Sequence, residues 1–245
     1  MRLEGKVAVV TGGASGFGAA IARRFAQEGA RVVLGDLNAE AGEAVAAEVG
    51  GAFVRADVSD GAQVAALVER AREMGGPHVA VSNAGYSHRN RPMLEVEEDE
   101  FDRIFAVNVK AIYHMARAAV PLMRAAGGGM MLNVASTAGV RPRPGLTWYN
   151  ASKGAAITLT RSMAVELAPD GIRVCALNPV AGDTPMLATF LGEDTPERRE
   201  AFRATVPLGR LSQPSDVASA ALFLASEEAA FLTGVCLEVD GGRCV

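Results

Sequence analysis

Short runs of apolar, often β-branched residues alternate along this chain with longer segments whose apolar residues recur every three or four positions. The short runs predict buried strands, and the longer segments predict helices. The predicted strands cover residues 6–10, 31–36, 52–57, 79–83, 130–135, 173–177 and 235–240. The predicted helices cover residues 19–26, 39–48, 64–74, 99–126, 148–169, 195–205 and 214–225, with an interruption near Pro121.

This alternation of strand and helix predicts an α/β fold with right-handed crossovers and a parallel sheet. Ligands of such sheets bind outside the carboxyl ends of the strands. The predicted strands deliver Asp36, Asp57 and Asn83 to that edge. Because the pattern contains no linker or repeat, we expect one domain over residues 1–245.

A glycine-rich loop, residues 11–18, lies between the first predicted strand and the first helix. Glycine lets the backbone come close to a pyrophosphate, and the following helix offers free N–H groups and a partial positive charge. The order strand, glycine turn, helix therefore predicts nucleotide binding.

Asp36 ends the second predicted strand, about 20 residues after the glycine loop, where an acid can accept hydrogen bonds from an adenosine ribose. Capping of the next helix is the alternative role, and the two are compatible. Gly13, Ala14 and Leu37 offer no cation to a 2′-phosphate, which a carboxylate repels. We therefore expect NAD as the cofactor rather than NADP.

Tyr149 and Lys153 are four residues apart on a predicted helix and so share one face. A nearby cation favours the phenolate and lowers the pKa of a tyrosine from its usual ~10, as general acid–base catalysis requires. Ser136, at the end of the fifth strand, is either a turn residue or a donor to an oxyanion. Asn108 is either a satisfied core amide or a residue that bends its helix by freeing a carbonyl.

Composition excludes several classes of protein. The 245 residues carry a net charge of −4, which argues against nucleic acid or an anionic membrane as the main partner. No apolar run is long enough to span a bilayer, and the first residues lack an apolar signal core. Cys175, Cys236 and Cys244 are widely spaced without metal-ligand spacing. We expect a cytoplasmic protein with reduced thiols and no metal site.

An ordered set of motifs resembles the short-chain dehydrogenases/reductases over the whole chain. The motifs are Thr11-Gly12-x-x-x-Gly16-x-Gly18, Asn83-Ala84-Gly85, Ser136 and Tyr149-x-x-x-Lys153. The resemblance, which includes glucose 1-dehydrogenases and 3-oxoacyl reductases, implies a single Rossmann-like domain. Its sheet would be doubly wound and parallel, with seven strands and helices on both faces. It also implies hydride transfer between a nicotinamide cofactor and an alcohol or carbonyl carbon.

The resemblance also implies roles for individual residues. Tyr149 would be the acid/base, Lys153 would lower its pKa and bind the nicotinamide ribose, and Ser136 would donate to the substrate oxygen. The backbone carbonyl of Asn108 would hold a water that links Lys153 to solvent. With Tyr149 and Lys153, the implied cofactor contacts are Gly12, Ser15, Gly16, Phe17, Gly18, Asp36, Leu37, Asp57, Val58, Asn83, Ala84, Gly85, Pro179 and Thr184. The chain departs from the family pattern at Val180, usually glycine, and at Phe17, usually aliphatic.

The substrate is less determined. We expect its pocket at Ala138, Trp148, Met186, Leu187 and Phe190, beneath a substrate loop at about residues 180–205. Four nearby arginines either recognise a carboxylate or phosphate or are solvated loop charges, and these are Arg89, Arg91, Arg141 and Arg143.

A small alcohol, sugar or polyol suits the expected use of NAD. A 3-oxoacyl thioester is the alternative, although the relatives that reduce it mostly use NADPH. A nucleotide-sensing protein without chemistry is a third reading, against which the intact Ser136, Tyr149 and Lys153 argue.

Relatives of this kind pair through their two long helices. The corresponding predicted helices, residues 99–126 and 148–169, carry many small residues, among them Ala111, Ala118, Ala155 and Ala156. We therefore expect a homo-oligomer, a tetramer with D2 symmetry.

Overall fold

Seven parallel strands form one sheet at the centre of the molecule. They are β1 (Val7–Thr11), β2 (Arg31–Asp36), β3 (Ala52–Arg55), β4 (Val79–Ser82), β5 (Gly129–Val134), β6 (Ile172–Pro179) and β7 (Cys236–Val239). The computed structural model, which describes all 245 residues, joins them in the order β3-β2-β1-β4-β5-β6-β7. The winding direction reverses between β1 and β4, and a crevice at such a point is where sheets of this kind bind ligands.

Nine α-helices cover the two faces of the sheet. They are α1 (Gly16–Gln27), α2 (Ala39–Glu48), α3 (Gly61–Glu73), α4 (Glu98–Phe105), α5 (Ala111–Ala125), α6 (Thr147–Leu167), α7 (Leu187–Leu191), α8 (Pro196–Arg203) and α9 (Pro214–Ala225). The predicted α/β class and the doubly wound, seven-stranded parallel sheet are confirmed.

Each face of the sheet has its own hydrophobic core. Along β1, Ala8 and Val10 pack into the core formed with α1, α2 and α9. Val7 and Val9 point the other way, into the core formed with α3, α5 and α6. All four side chains are fully buried, and burial of one valine contributes about 1.5–3 kcal/mol. Burial on both faces explains why the first strand reads as a continuous apolar run.

The interruption predicted near Pro121 in the long helix at residues 99–126 is wrong in its position. Two α-helices, α4 and α5, flank a π-helical turn, Ala106–Lys110, in which the Ala111 N–H donates to the Ala106 carbonyl oxygen. Pro121, the expected interruption, lies inside α5. The break is therefore at Asn108, whose side chain points inward, and π turns of this kind are frequent at functional sites.

The remaining predicted elements differ from the observed ones mostly at their ends. The sixth strand continues through Pro179, two residues beyond its prediction, because Val180 still donates to the Val239 carbonyl oxygen at 3.1 Å. The expected substrate loop contains α7 and α8. None of the helices is both long and apolar enough to cross a bilayer.

Candidate active site

The glycine loop is tied to β4 by one side chain. The Asn83 amide nitrogen donates to the carbonyl oxygens of Thr11 at 2.9 Å and Gly12 at 3.2 Å. Gly12 has a φ of +64°, which favours glycine. A Cβ atom on Gly18 would lie 2.0 Å from the Gly12 carbonyl oxygen, so only glycine lets α1 start this close to the loop. The cradle expected of a pyrophosphate-binding turn is present.

Asp36 faces this loop. Its Oδ2 accepts from the Ala14 N–H at 3.0 Å, and its Oδ1 accepts from the Asn38 N–H at 3.0 Å. The cap of α2 is instead Asn38, whose side chain accepts from the Ala41 N–H. The alternative role for Asp36 is therefore filled by another residue, and the carboxylate lies at the cavity that the glycine loop borders.

Tyr149 and Lys153 lie on the buried face of α6, as their spacing predicts. The Lys153 ammonium donates to the Val134 carbonyl oxygen at 2.8 Å and lies 5.8 Å from the centre of the Tyr149 ring. Ser136 follows β5, and its hydroxyl oxygen accepts from the Ala138 N–H at 3.1 Å. All three side chains border one cavity.

The pKa values of this pair differ from the expectation. Burial raises the pKa of Tyr149 to about 12, while a hydrogen bond with Ser136 and the charge of Arg143 act in the lowering direction. Burial also lowers the pKa of Lys153 to about 8. The expected lowering of the Tyr149 pKa by Lys153 is thus wrong for the protein alone. The cause is desolvation of both groups, which outweighs the lowering contributions around the phenol.

Asn108 satisfies its side chain within the protein. Its Oδ1 accepts from the Tyr86 N–H at 2.8 Å, and its Nδ2 donates to the Tyr86 carbonyl oxygen at 2.8 Å and to the Ser152 hydroxyl at 2.9 Å. Asn108 therefore combines both alternatives, a satisfied core amide and the residue at which the helix deforms. Its side chain ties the turn after β4 to α6.

A cavity of about 320 Å³ opens along the carboxyl edge of the sheet. Every cofactor contact implied by the family resemblance lines it, except Gly18, which is packed behind the loop. Thr184, from the segment after β6, lies over Gly16. A Cβ atom on Gly16 would be 3.5 Å from the Thr184 methyl group. A glycine cradle, an acid at the end of β2 and a long groove between them fit a dinucleotide.

Three of the five predicted substrate-pocket residues lie outside this lining. Trp148 precedes Tyr149 on α6, and neighbouring residues on a helix point about 100° apart. The Trp148 side chain therefore points away from the cavity, and its indole N–H donates to the Met93 carbonyl oxygen. Ala138 packs behind Tyr149 with Leu146, and Leu187 is buried. Met186 and Phe190 do line the cavity, and the Phe190 ring centre lies 5.0 Å from that of Tyr149.

Both departures from the family pattern are accommodated by packing. A Cβ atom on Gly182 would lie 2.6 Å from the tip of the Phe17 ring, so the large side chain in the glycine loop occupies space that a glycine leaves. Val180 is buried against Phe202 and Val206, and its side chain borders the cavity as well.

Tyr86 and Arg103 are among the residues on the cavity wall that sequence reasoning missed. Tyr86 follows directly after the Asn83-Ala84-Gly85 motif, and the Arg103 guanidinium lies 4.3 Å from the centre of its ring. The position of Tyr86 next to the motif was the available signal. Arg103 carried none, because its place depends on the angle between α4 and the sheet.

Comparison with known proteins decides the family. Residues 12–243 match the family model described as Enoyl-(Acyl carrier protein) reductase. The chain is 56% identical to the 4-formylbenzenesulfonate dehydrogenase of Comamonas testosteroni over 99% of both chains. The chain belongs to the short-chain dehydrogenase/reductase family.

Two further members of this family are informative. The chain is 40% identical, over all of its length and 98% of the relative, to the 2,5-dichloro-2,5-cyclohexadiene-1,4-diol dehydrogenase of Sphingobium indicum. It also superposes, with a TM-score of 0.94 and 48% identity over 99% of this chain and all of the other, on a crystal structure of a 3-ketoacyl-(acyl-carrier-protein) reductase from Brucella melitensis in complex with NADH. The predicted short-chain oxidoreductase acting on CH–OH groups is confirmed, and the expected nicotinamide cofactor agrees with the bound NADH.

The burial of Lys153 predicts a dependence of stability on pH. Its pKa is lowered on folding, so this lysine binds more protons in the unfolded chain between about pH 8 and 10.5, and its contribution to the free energy of unfolding rises with pH there. Below pH 8 the burial of the charged Lys153 side chain destabilises the folded protein by about 3 kcal/mol. Lys153→Met should therefore be more stable than wild type at pH 7 and should lose this rise. Urea unfolding between pH 7 and 9.5 measures it, below the range in which Tyr149 titrates.

Lys110→Met, at an exposed lysine, is the matched control and should keep the rise in stability. Equal slopes for wild type and Lys153→Met between pH 8 and 9.5 would show that Lys153 keeps an ordinary pKa in the folded protein.

Proposed function

We propose that this enzyme interconverts an alcohol and a carbonyl group carried by a six-membered ring, with NAD(H) as the cofactor. The observation that carries the proposal is the aromatic wall of the cavity: the Phe190 ring lies 5.0 Å from the ring of Tyr149, the proposed acid/base. Met186, Pro185 and Val180 extend this apolar lining. A flat ring packs well on such a surface.

The lining also favours this substrate class over the sugars and polyols considered above. A polyol buried here would need a partner for each hydroxyl, since an unpaired buried hydroxyl is costly. The names of two relatives agree with a ring, since one acts on a formylbenzene and the other on a cyclohexadiene diol. Met186 and Phe190 belong to the segment of residues 180–205, which we propose as the cover of the substrate.

The proposed chemistry assigns one task to each catalytic residue. A bound nicotinamide supplies the acceptor or donor of the hydride. Ser136 holds the substrate oxygen by a hydrogen bond. The deprotonated Tyr149 oxygen takes the alcohol proton in oxidation, and the Tyr149 phenol returns it in reduction. Lys153, with a pKa of about 8, is mostly a cation at neutral pH and would bind the nicotinamide ribose, while Ser136 and Arg143 act to lower the pKa of Tyr149. Asn108 positions α6 through its hydrogen bond to Ser152.

A 3-oxoacyl thioester is the second candidate substrate. The 3-ketoacyl-(acyl-carrier-protein) reductase from Brucella melitensis is 48% identical over nearly the whole chain, which favours this candidate. The two candidates differ in shape, since the thioester is a flexible chain and the ring alcohol is compact. A kinetic comparison therefore separates them.

The deciding experiment measures kcat/KM for a panel with NAD(H), followed at the absorbance band of the reduced nicotinamide. The panel contains benzyl alcohol and benzaldehyde, cyclohexanol, glucose and a 3-oxoacyl thioester. We expect the ring compounds to be turned over best. A higher kcat/KM for the thioester would transfer the assignment to the second candidate, and turnover of glucose alone would contradict both.

Removal of the Tyr149 hydroxyl should abolish most of the activity. Tyr149→Phe keeps the ring that packs against Phe190 but removes the proton carrier, so kcat should fall by ~10²–10⁴-fold. NAD affinity, measured by fluorescence titration, should change little. Near-wild-type turnover would show that another group carries the proton.

Asp36 should determine the choice between NAD and NADP. A carboxylate that accepts from the ribose hydroxyls contributes roughly 1.5–3 kcal/mol per charged hydrogen bond and repels a 2′-phosphate. We therefore expect NAD to be favoured by about two powers of ten or more. Asp36→Ala should weaken NAD and reduce the preference, and addition of Leu37→Arg should admit NADP. Steady-state kcat/KM for both cofactors measures it.

Arg55→Ala is the control for the cofactor experiment. Its guanidinium donates to the Leu37 carbonyl oxygen at 3.4 Å and lies beside the proposed ribose site without bordering the cavity. The preference for NAD should survive this change. Equal use of both cofactors by wild type would contradict the role of Asp36.

We also propose a homotetramer. Tyr113 on α5 and Val165 on α6 are exposed to 54% and 80%, although both are large apolar side chains on the two helices expected to pair. Contacts between copies would cover them. Light scattering at micromolar concentration should give about four times the chain mass, and a monomer mass would contradict the proposal.

A further inference from the structure

The arginines around the substrate segment differ in what holds them. The Arg91 guanidinium pairs with the Glu100 carboxylate, and Arg89 Nε donates to the Gly192 carbonyl oxygen at 2.6 Å. Arg141 donates to the backbone carbonyl oxygen of Arg243. These three arginines therefore have structural partners within the chain.

Arg143 has no such partner. No carboxylate lies within 4.0 Å of its guanidinium, which donates no hydrogen bond within the chain although the residue is half-buried. Two aromatic rings are its neighbours instead, since its Cζ lies 5.7 Å from the Phe190 ring centre and 4.8 Å from that of Phe202. Burial lowers the pKa of Arg143, and Arg243 adds to this effect.

A second arginine lies against the same phenyl ring. Arg243 Cζ is 5.2 Å from the Phe202 ring centre, and its residue is 9% exposed. The nearby Asp240 is occupied, because its two carboxylate oxygens accept from the backbone N–H groups of Gly242 and Cys244. The guanidinium groups of Arg143 and Arg243 thus both lie near the Phe202 ring, and neither forms an ion pair with a carboxylate.

This charge lies next to the proposed site of chemistry. Phe190 connects the two, since its ring centre is 5.0 Å from the Tyr149 ring and 5.7 Å from Arg143 Cζ. The charge of Arg143 also acts to lower the pKa of Tyr149, which is consistent with their proximity. Arg143 itself does not border the cavity, so an anionic substituent on a ring that rests on Phe190 would have to extend past that phenyl ring to meet the guanidinium.

We propose that Arg143 binds an anionic substituent of the substrate, a carboxylate or a sulfonate. The planar guanidinium matches both groups with paired N–H donors, and such charge-assisted bonds are strong in a half-buried site. An anion there would also relieve the repulsion between Arg143 and Arg243. The proposal rests on the ring substrate proposed above and adds a charge requirement to it. The alternative is that the two aromatic rings alone stabilise Arg143.

The test compares substrates that share a ring but differ in charge. The enzyme is assayed with 4-carboxybenzaldehyde, 4-formylbenzenesulfonate and the neutral methyl ester of the first, for wild type and Arg143→Gln. Wild type should favour the anionic aldehydes, mainly through a lower KM. In Arg143→Gln the ratio of kcat/KM for anionic over neutral substrate should fall by about 10- to 100-fold. Any change that the variant causes at Tyr149 affects both substrates and cancels in this ratio.

Arg203→Gln is the matched control, because Arg203 pairs with Glu200 on the exposed side of α8. It should keep the wild-type ratio. A second measurement uses wild type alone: benzoate and benzenesulfonate should compete with the neutral ester more strongly than benzamide does, and added salt should weaken them. This measurement stands even where Arg143→Gln fails to fold.

The outcomes separate the two proposals. Turnover of the neutral ester with no preference for the anions keeps the ring substrate and overturns the role of Arg143. Equal losses for both substrates in Arg143→Gln would show a structural role. Turnover of no ring compound, with activity on the thioester, overturns the proposed function itself.

Discussion

The site depends on one amide side chain that joins two strands distant in sequence. Asn83 follows β4, and its amide holds the carbonyl oxygens of Thr11 and Gly12 after β1. The crevice between these strands exists because the sheet reverses its winding there. Two residues on, a Cβ atom on Gly85 would lie 3.7 Å from Lys153 Nζ. A single short segment thus holds the glycine loop and borders the ammonium group of Lys153.

The second theme is the cost of buried cations. Lys153 is held by one carbonyl oxygen, and Arg143 is held by two aromatic rings. Neither has a carboxylate partner within the chain, and burial disfavours the charged form of both. Buried, unpaired cations lower the free energy of unfolding of the protein. A ligand that binds only the folded state raises that free energy again. The empty enzyme is therefore expected to be less stable than its complexes.

Sequence predicted the sheet and most of the cavity wall because these follow from local pattern. Buried strands read as apolar runs, and the glycine loop and the Tyr149-x-x-x-Lys153 spacing are local as well. What was missed depends on tertiary placement. The π turn at Asn108 adds one residue to a helical period, and the lack of an ion pair at Arg143, unlike Arg91, depends on which carboxylates the fold brings near each arginine. The raised pKa of Tyr149 comes from burial, which no motif states.

Phe17 and Gly182 lie 165 positions apart and share one volume, because any side chain on Gly182 would meet the Phe17 ring. The two positions are therefore coupled by packing. A glycine loop taken from a relative with a smaller residue at position 17 would leave a void above the loop. A branched residue at position 182 would displace the Phe17 ring. Cofactor-site redesign in this chain has to exchange both residues together.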